Sequence, residues 1–273
     1  MNRKSGKSHD ELVRLASDAL ERDALAEAEA LARRALMKQP RSLEARQALA
    51  SSLIEQARYG EAAVQLRGLL EEDPDDLATL ADYGLCLFEL CEFRSAEQVL
   101  ARALEVEPAD PQGCYWMALC LERRGQFQQA ERYFRLAHEV DPAGYPAPTR
   151  ISREAFAETV SEALDGLPEE IQKPLRGAVA IIVEDLPREE DLRAQDPPLD
   201  PCLYGLYCGV PLPDRSTYAV PELPDRIYLY QRNLERFCAD RDMLVEEIRI
   251  TLLHEIGHYL GLDEADLAER GLA

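Results

Sequence analysis

Residues 77–108, LATLADYGLCLFELCEFRSAEQVLARALEVEP, contain the pattern that decides the fold of the N-terminal part of the chain. Proline, small and large residues of this stretch recur at a spacing of 34 residues along the chain. The recurring positions are Pro40, Pro74, Pro108 and Pro142; Ala28, Ala62, Ala96 and Ala130; Ala16, Ala50, Gly84 and Ala118; and Leu25, Tyr59, Phe93 and Phe127. Four units in one register predict a stack of helix-turn-helix repeats.

Each residue type has a physical role in such a unit. Alanine or glycine lets two helix backbones approach where they cross, and the large residue three positions earlier fills the space beside the crossing. Proline ends the second helix because it lacks an N–H and clashes with the preceding turn. The period and the order of these residues resemble the tetratricopeptide repeat over residues 9–144. The resemblance implies an all-α solenoid whose concave groove holds a peptide or another domain.

Ten positions are expected to line that groove, and together they form a mixed, partly apolar surface. They are Gln47, Ser51, Ile54, Ala81, Asp82, Leu85, Phe88, Tyr115, Trp116 and Leu119. We expect a protein or peptide partner there, whereas the sequence gives no indication of oligomeric state.

The composition of the 273-residue chain narrows the possible partners. Its formal net charge is −21, which disfavours nucleic acids and anionic membrane surfaces, because both require an excess of lysine and arginine. No apolar run approaches the length of a membrane span, and the basic N-terminus precedes an amphipathic helix, not the apolar core of a signal peptide. Seven cysteines without a Cys-x-x-Cys pair indicate reduced thiols in a cytoplasmic protein.

The pattern changes after the repeats. Residues 145–151 contain two prolines and are predicted to be a linker, and residues 152–273 have the mixed periodicity of a small α+β domain. The elements expected in this domain are a helix over 152–165, a short helix from Pro168, strands at 178–183 and 227–230, a surface loop over 187–201, and a long helix over 241–260 that ends at Gly261.

The long helix ends in residues 253–264, LHEIGHYLGLDE, which carry the chemistry of the domain. His254 and His258 are four residues apart, so both imidazoles lie on one helix face and can bind the same zinc ion. Glu255 is expected to point beside the ion, where it can accept a proton from a metal-bound water as the catalytic base.

The third zinc ligand is expected to be a carboxylate, because the two other histidines of the chain lie in the repeats. Gly261 allows the chain to turn back toward the ion. Glu264 is the first choice because it follows Gly261 by three residues, with Asp263 as the alternative and Asp266 after it. Three protein ligands leave one open position, which is typical of a catalytic zinc site.

Two further segments extend the pattern. Residues 205–212, GLYCGVPL, are followed by Arg215, and residues 224–230 read PDRIYLY. Together with the His-Glu-x-x-His helix, they resemble the minimal zincin family of small metallopeptidases over nearly all of residues 152–273. The resemblance implies a zinc-dependent peptidase fold.

The sequence departs from that family at one ligand position. Glu264 stands where the family usually has aspartate, and Asp263 is adjacent, so the choice between them stays open. No methionine follows the motif in this sequence, so we expect no Met-turn of the kind found in the larger metzincins.

Two functional hypotheses follow. The first is a zinc metallopeptidase whose repeats recruit a protein or regulate the enzyme. The alternative is an interaction scaffold with an inactive or structural zincin-like domain. In the first hypothesis, residues 227–230 are expected to act as an edge strand that holds an extended substrate. Tyr207, Tyr228 and Tyr230 are candidates for stabilising the oxyanion, although packing is the simpler role for each.

Overall fold

The structure, a computed structural model, describes residues 7–214 and 225–269. The chain divides between Tyr145 and Pro146 into two compact units. Arg215 and Pro224, which belong to the family pattern in the sequence, lie outside the described residues. Among the described residues, no helix has both the length and the apolar content that crossing a bilayer requires.

The first unit consists of four helical hairpins, which confirms the predicted all-α repeat architecture. Its helices are α1 (His9–Leu20), α2 (Leu25–Lys38), α3 (Leu43–Glu55), α4 (Tyr59–Leu70), α5 (Leu77–Glu89), α6 (Phe93–Val106), α7 (Pro111–Arg123) and α8 (Phe127–Val140). Each recurring proline lies in the segment that follows α2, α4, α6 or α8.

The first helix of every hairpin begins at a side-chain cap. The four capping residues are Ser8, Ser42, Asp76 and Asp110, again 34 residues apart. Each side-chain oxygen accepts a hydrogen bond from the backbone N–H three residues later, which satisfies a donor that the helix itself leaves unpaired.

The turn within each hairpin repeats in the backbone. Asp23, Ala57, Cys91 and Gly125, also 34 residues apart, have positive φ angles of 57°, 55°, 59° and 69°. The residue after each of them donates its N–H to a carbonyl five residues earlier, as in the Schellman ending of a helix. Only one of the four is glycine, so residue types alone do not reveal this feature.

Small residues bring the helices of the first unit together, as the sequence predicts. A Cβ on Gly84 would lie 2.5 Å from Leu100 Cδ2, so α5 and α6 could not keep this separation with a larger residue. Three of the ten expected groove residues belong instead to the core, because Ala81, Phe88 and Leu119 are each 1% exposed.

The second unit packs helices against a three-stranded sheet. Its elements are α9 (Arg153–Asp165), α10 (Glu169–Leu175), β1 (Val179–Glu184), α11 (Glu189–Leu192), β2 (Gly205–Cys208), a 3₁₀ turn (Leu212–Asp214), β3 (Asp225–Tyr230), α12 (Gln231–Phe237), α13 (Arg241–Tyr259) and α14 (Glu264–Glu269). The strand order is β1-β3-β2, with β1 parallel and β2 antiparallel to β3. This unit confirms the predicted α+β class.

Two local expectations are wrong. Residues 227–230 belong to β3, the central strand, so the expected edge strand does not lie there. The strand pairs on both sides, with Ile227 opposite Ile181 of β1 and Tyr207 of β2. The predicted loop over 187–201 also contains the single helical turn α11, where Arg188 pairs with Asp191.

The core of the second unit lies between α9, α13 and the sheet. Leu244, Ile248, Leu252 and Ile256 follow one another at a spacing of four on α13, and each is at most 1% exposed. They pack with Phe156 of α9 and with apolar residues of β3. Apolar burial therefore holds α13 in place over most of its length, and each fully buried side chain contributes about 1.5–3 kcal/mol.

A buried carboxylate fixes the chain segment before α9. The Glu235 side chain on α12 is 3% exposed and pairs with the Arg150 guanidinium at 3.0 Å. It also accepts the Ile151 N–H at 3.1 Å and the Gln231 amide at 2.7 Å, while Thr149 donates its N–H to the Glu235 carbonyl at 2.8 Å. Part of the predicted 145–151 linker is therefore bound to the second unit.

Candidate metal centre

The helix that carries the histidine pair has defined ends. Asp240 caps the start of α13 by accepting the N–H of Met243 at 2.8 Å. At the other end Gly261 has a φ of +89°, and the Leu262 N–H donates to the Gly257 carbonyl at 2.9 Å. Glycine adopts this left-handed conformation without strain, so the chain reverses immediately after the second histidine.

The reversal brings three potential ligand atoms together. The Nε2 atoms of His254 and His258 are 3.0 Å apart, and Glu264 Oε1 lies 3.3 Å from His258 Nε2 and 3.9 Å from His254 Nε2. Two ligands at about 2.1 Å from a tetrahedral zinc ion are themselves about 3.4 Å apart. The observed distances and the donor set of two imidazoles and one carboxylate therefore fit zinc.

The turn also orients one imidazole. His258 Nδ1 lies 3.2 Å from the carbonyl oxygen of Leu262. If Nδ1 carries the proton it donates to this carbonyl, and Nε2 is left with its lone pair directed at the three-atom cluster. The Leu262 carbonyl can only accept a hydrogen bond, so it favours the tautomer that a metal needs.

Asp263 lies outside the ligand cluster because it begins the next helix. Its Oδ1 accepts the N–H of Asp266 at 2.9 Å, and the Asp263 N–H donates to Asp266 Oδ2 at 3.3 Å. The fully buried Leu267 then packs on Gly257, where a Cβ would be only 2.4 Å from Leu267 Cδ2. Of the three acids considered from the sequence, Glu264 is the one that this packing brings to the histidines.

Glu255 lies beside the histidine pair and is 6% exposed. Its carboxylate accepts a hydrogen bond from the backbone N–H of Tyr207 on β2. Burial raises the pKa of Glu255 to about 7, although the neighbouring His254 and the Tyr207 hydrogen bond both lower it. A Cβ on Gly205 would stand 2.9 Å from Glu255 Cγ and Oε1, so only glycine permits this approach to the strand.

The free edge of β2 faces the same carboxylate. Tyr204, just before β2, accepts the Tyr230 N–H on its carbonyl at 2.8 Å. Its backbone groups therefore face β3, as do those of the other even-numbered residues along the strand. In an antiparallel strand the alternate residues point the other way. The backbone groups of Gly205 and Tyr207 therefore face the edge that carries no neighbouring strand among the described residues.

This arrangement of helix, ligand cluster and edge strand agrees with the comparison to known families. Residues 177–272 match the model of the family described as zincin-like metallopeptidase. The C-terminal part of the chain is a zincin-like metallopeptidase domain. Its matched range begins just before β1, whereas α9 of the same compact unit precedes it.

Two tetratricopeptide-repeat models match residues 53–113 and 111–143, ahead of the zincin-like domain. These ranges cover α5 to α8 and most of the second repeat, and the first hairpin lies before them. The chain therefore joins tetratricopeptide repeats to a zincin-like domain.

Comparison with solved structures returns proteins named MamA. One, MamA MSR-1 C2, is 19% identical, with 53% of this chain and 82% of that chain covered and a TM-score of 0.46. Another, a crystal structure of MamA protein, is 15% identical, with 49% and 73% covered and a TM-score of 0.45. No curated protein sequence matches the chain.

The three tyrosines that were candidates for oxyanion stabilisation are engaged in packing or hydrogen bonds within the zincin-like domain. Tyr207 donates its hydroxyl to Asp225 Oδ2 at 2.6 Å. Tyr228 and Tyr230 are 7% and 1% exposed, and their rings stack 6.3 Å apart. Sequence reasoning missed the part played by the Tyr207 backbone, because it depends on strand pairing and not on the residue type.

Proposed function

We propose that this protein is a zinc-dependent peptidase, in which His254, His258 and Glu264 bind the ion and the repeats bind a protein. The convergence of these two imidazoles and one carboxylate within 4.8 Å is the observation that carries the proposal. Three protein ligands leave a fourth position open, which is the arrangement of catalytic and not of structural zinc sites. The match to the zincin-like family supports the same conclusion.

A bound zinc ion would supply Lewis acidity, activating a water molecule and polarising the carbonyl of the scissile peptide bond. Glu255 is the group proposed to accept the proton of the attacking water and to transfer it to the leaving amine. Its burial beside His254 and the fixed hydrogen bond from Tyr207 favour this role, because both restrict the carboxylate to the side of the ligand cluster.

The β2 edge is the proposed substrate-binding strand. The Tyr207 N–H is already bonded to Glu255, but the backbone groups of Gly205 and the Tyr207 carbonyl face outward, so an extended peptide paired with them would pass next to the ligand cluster. Because this pairing uses backbone groups, it requires the substrate to be extended but depends little on the sequence of the substrate. This proposal replaces the expectation that residues 227–230 hold the substrate.

The cytoplasm is the compartment we propose. Burial raises the pKa of Cys86, Cys120 and Cys238 to about 12, so these thiols are poorly reactive. No disulfide links cysteines in the part of the chain that the structure describes. Such thiols suit a reducing environment.

The test combines metal analysis with a peptide-library digest. Full-length protein purified without added zinc is analysed for bound metal, and cleavage is compared between the wild type, Glu255→Gln and Glu246→Gln. Glu246 is a matched control, because it lies on the same helix, is exposed and pairs only with Arg249 in the described structure.

We expect bound zinc in all three proteins, loss of cleavage in Glu255→Gln, and full cleavage in Glu246→Gln. Chelation should abolish cleavage, and added zinc should restore it. Protein that takes up no zinc at micromolar supply would contradict the proposal. Zinc binding with no cleavage of any peptide would instead support an interaction scaffold.

A further inference from the structure

The repeats contain a pocket of about 650 Å³. Residues of α1, α3 and α5, the first helices of three successive repeats, form most of its wall. The volume lies within the range of about 300–1,000 Å³ that is typical of ligand sites. Two of the predicted groove residues, Gln47 and Ser51, line this pocket.

The larger apolar side chains of the wall are Val13 and Leu20 of α1, Leu43 of α3 and Leu69 of α4. Leu43 is 43% exposed, although it is the first residue of a helix whose other leucines are buried. An apolar side chain entering the pocket would remove this surface from water, with a gain of about 25 cal/mol for each Å² buried.

The charged part of the wall is entirely acidic. Glu44, Asp73 and Asp76 line the pocket and are exposed, and no lysine, arginine or histidine belongs to its described wall. Asp73 and Asp76 accept backbone N–H groups of the α4–α5 turn and of α5, and Glu44 accepts the hydroxyl of Ser42. These donors are neutral. Within the described structure, therefore, no ion pair compensates the three negative charges.

The surrounding charge acts in the same direction. His9 is the exception, because it lowers the pKa of Glu44, but its Nδ1 lies 2.8 Å from Asp10 Oδ1. The Asp82 carboxyl lies farther along α5, and burial together with the charges of Asp76 and Glu55 raises its pKa. The formal net charge of −21 adds a general repulsion of acidic molecules, including a second copy of this chain.

We propose that this pocket binds a cationic, amphipathic segment of another protein. An apolar side chain of that segment would enter between α1 and α3, and neighbouring lysine or arginine residues would pair with Glu44, Asp73 and Asp76. The inference deepens the proposed function by naming the chemistry of the protein that the repeats bind. It does not depend on the metal centre.

The probe is a fluorescein-labelled helical peptide with leucines on one face and lysines on the other. Two comparison peptides replace the lysines by glutamate or the leucines by serine. Anisotropy is measured with full-length Glu255→Gln in the presence of a chelator, so that cleavage does not interfere. The Leu/Lys peptide should bind, with an affinity that falls as salt increases, and both comparison peptides should bind much more weakly.

The decisive variant neutralises the pocket without changing its shape: Glu44→Gln, Asp73→Asn and Asp76→Asn together. Asparagine caps a helix about as well as aspartate, so α5 keeps its N-terminal hydrogen bond. Exposed ion pairs are individually weak, and loss of three should lower the affinity by about tenfold. Circular dichroism verifies that the variant is folded.

A matched control carries Glu105→Gln, Glu107→Gln and Glu139→Gln, which remove the same charge from exposed residues that do not line the pocket. It should keep the wild-type affinity. Equal binding of the glutamate peptide, or equal affinity of the pocket and control variants, would overturn the inference. Because chelated, inactive protein is used, this outcome is independent of whether the domain cleaves peptides.

Discussion

Leu267 packs directly on Gly257, and a Cβ added to this glycine would lie 2.4 Å from Leu267 Cδ2. This contact holds α14 against α13, and α14 begins at Glu264. The glycine between the two histidines therefore helps to place the carboxylate that reaches them.

Replacing Gly257 by alanine should displace α14 and weaken zinc binding. Loss of a supporting contact typically lowers metal affinity by about 10- to 100-fold. Competition with a chromophoric chelator measures this change. The double variant Gly257→Ala, Leu267→Ala should recover part of the affinity, because the shorter side chain makes room for the new methyl group. Unchanged affinity in Gly257→Ala would show that the contact does not position Glu264.

Gly205→Ala should impair cleavage while zinc content is unchanged. The added methyl group would stand 2.9 Å from Glu255 Oε1 and from Thr251 Cγ2, so the carboxylate must move away from β2. A displacement of this kind should lower kcat by about 10- to 100-fold.

Gly166→Ala is the control, because its Cβ would meet only backbone oxygens, at 3.4 and 3.6 Å. Kinetics and metal analysis of both variants distinguish a loss of cleavage from a loss of zinc. A wild-type rate in Gly205→Ala would mean that Glu255 tolerates the displacement.

Ala57→Gly should stabilise the repeats. Ala57 is exposed and has a φ of 55°, a conformation that costs a residue with a Cβ about 1–2 kcal/mol and glycine almost nothing. Glycine also makes the unfolded chain more flexible, which opposes folding. The net increase in the free energy of unfolding should therefore be about 0.5–1 kcal/mol.

Urea denaturation measures the difference in the free energy of unfolding. Ala101→Gly is the matched control, since Ala101 is an exposed residue inside α6 and the same change there should destabilise by about 0.5–1 kcal/mol. If both variants were destabilised by the same amount, the positive φ of Ala57 would not be a source of strain.

Acid should weaken the contact between the first two repeats. Partial burial raises the pKa of Glu29, but hydrogen bonds from Arg33, Arg58 and Gln56 lower it below the ordinary value of 4.5. Because the folded pKa is depressed, the contribution of Glu29 to stability is complete above about 4.5 and is lost as the pH falls through the folded value.

Comparing wild type with Glu29→Gln by urea denaturation at several pH values tests this prediction. The difference in the free energy of unfolding between the two proteins should be largest near neutral pH and should shrink in acid. A difference that stays constant with pH would show that the ionisation of Glu29 does not matter.

The sequence predicted the features that depend on local chemistry. A 34-residue period of small residues and prolines is sufficient to place eight helices, and a spacing of four places His254 and His258 on one face. The end of α13 before Gly261 was also predictable, because the chain can reverse at a glycine without strain.

Features that depend on pairing over long distances were not predictable. The four residues of β2 include no valine, isoleucine or threonine, and Tyr207 alone is too weak a signal to predict a strand. The central position of β3 follows from pairing with β1 and β2, which are far apart in the chain. The preference for Glu264 over Asp263 depends on where α14 begins, because Asp263 binds the N–H of Asp266.

The hydrogen bonds of Glu235 to residues 149–151 have a practical consequence for cutting the protein into fragments. A C-terminal fragment that starts at residue 177, where the family match begins, would lack both this anchor and α9. Its buried Glu235 would then lose the arginine that balances its charge. Autonomous folding of the C-terminal unit should therefore require a start no later than Thr149.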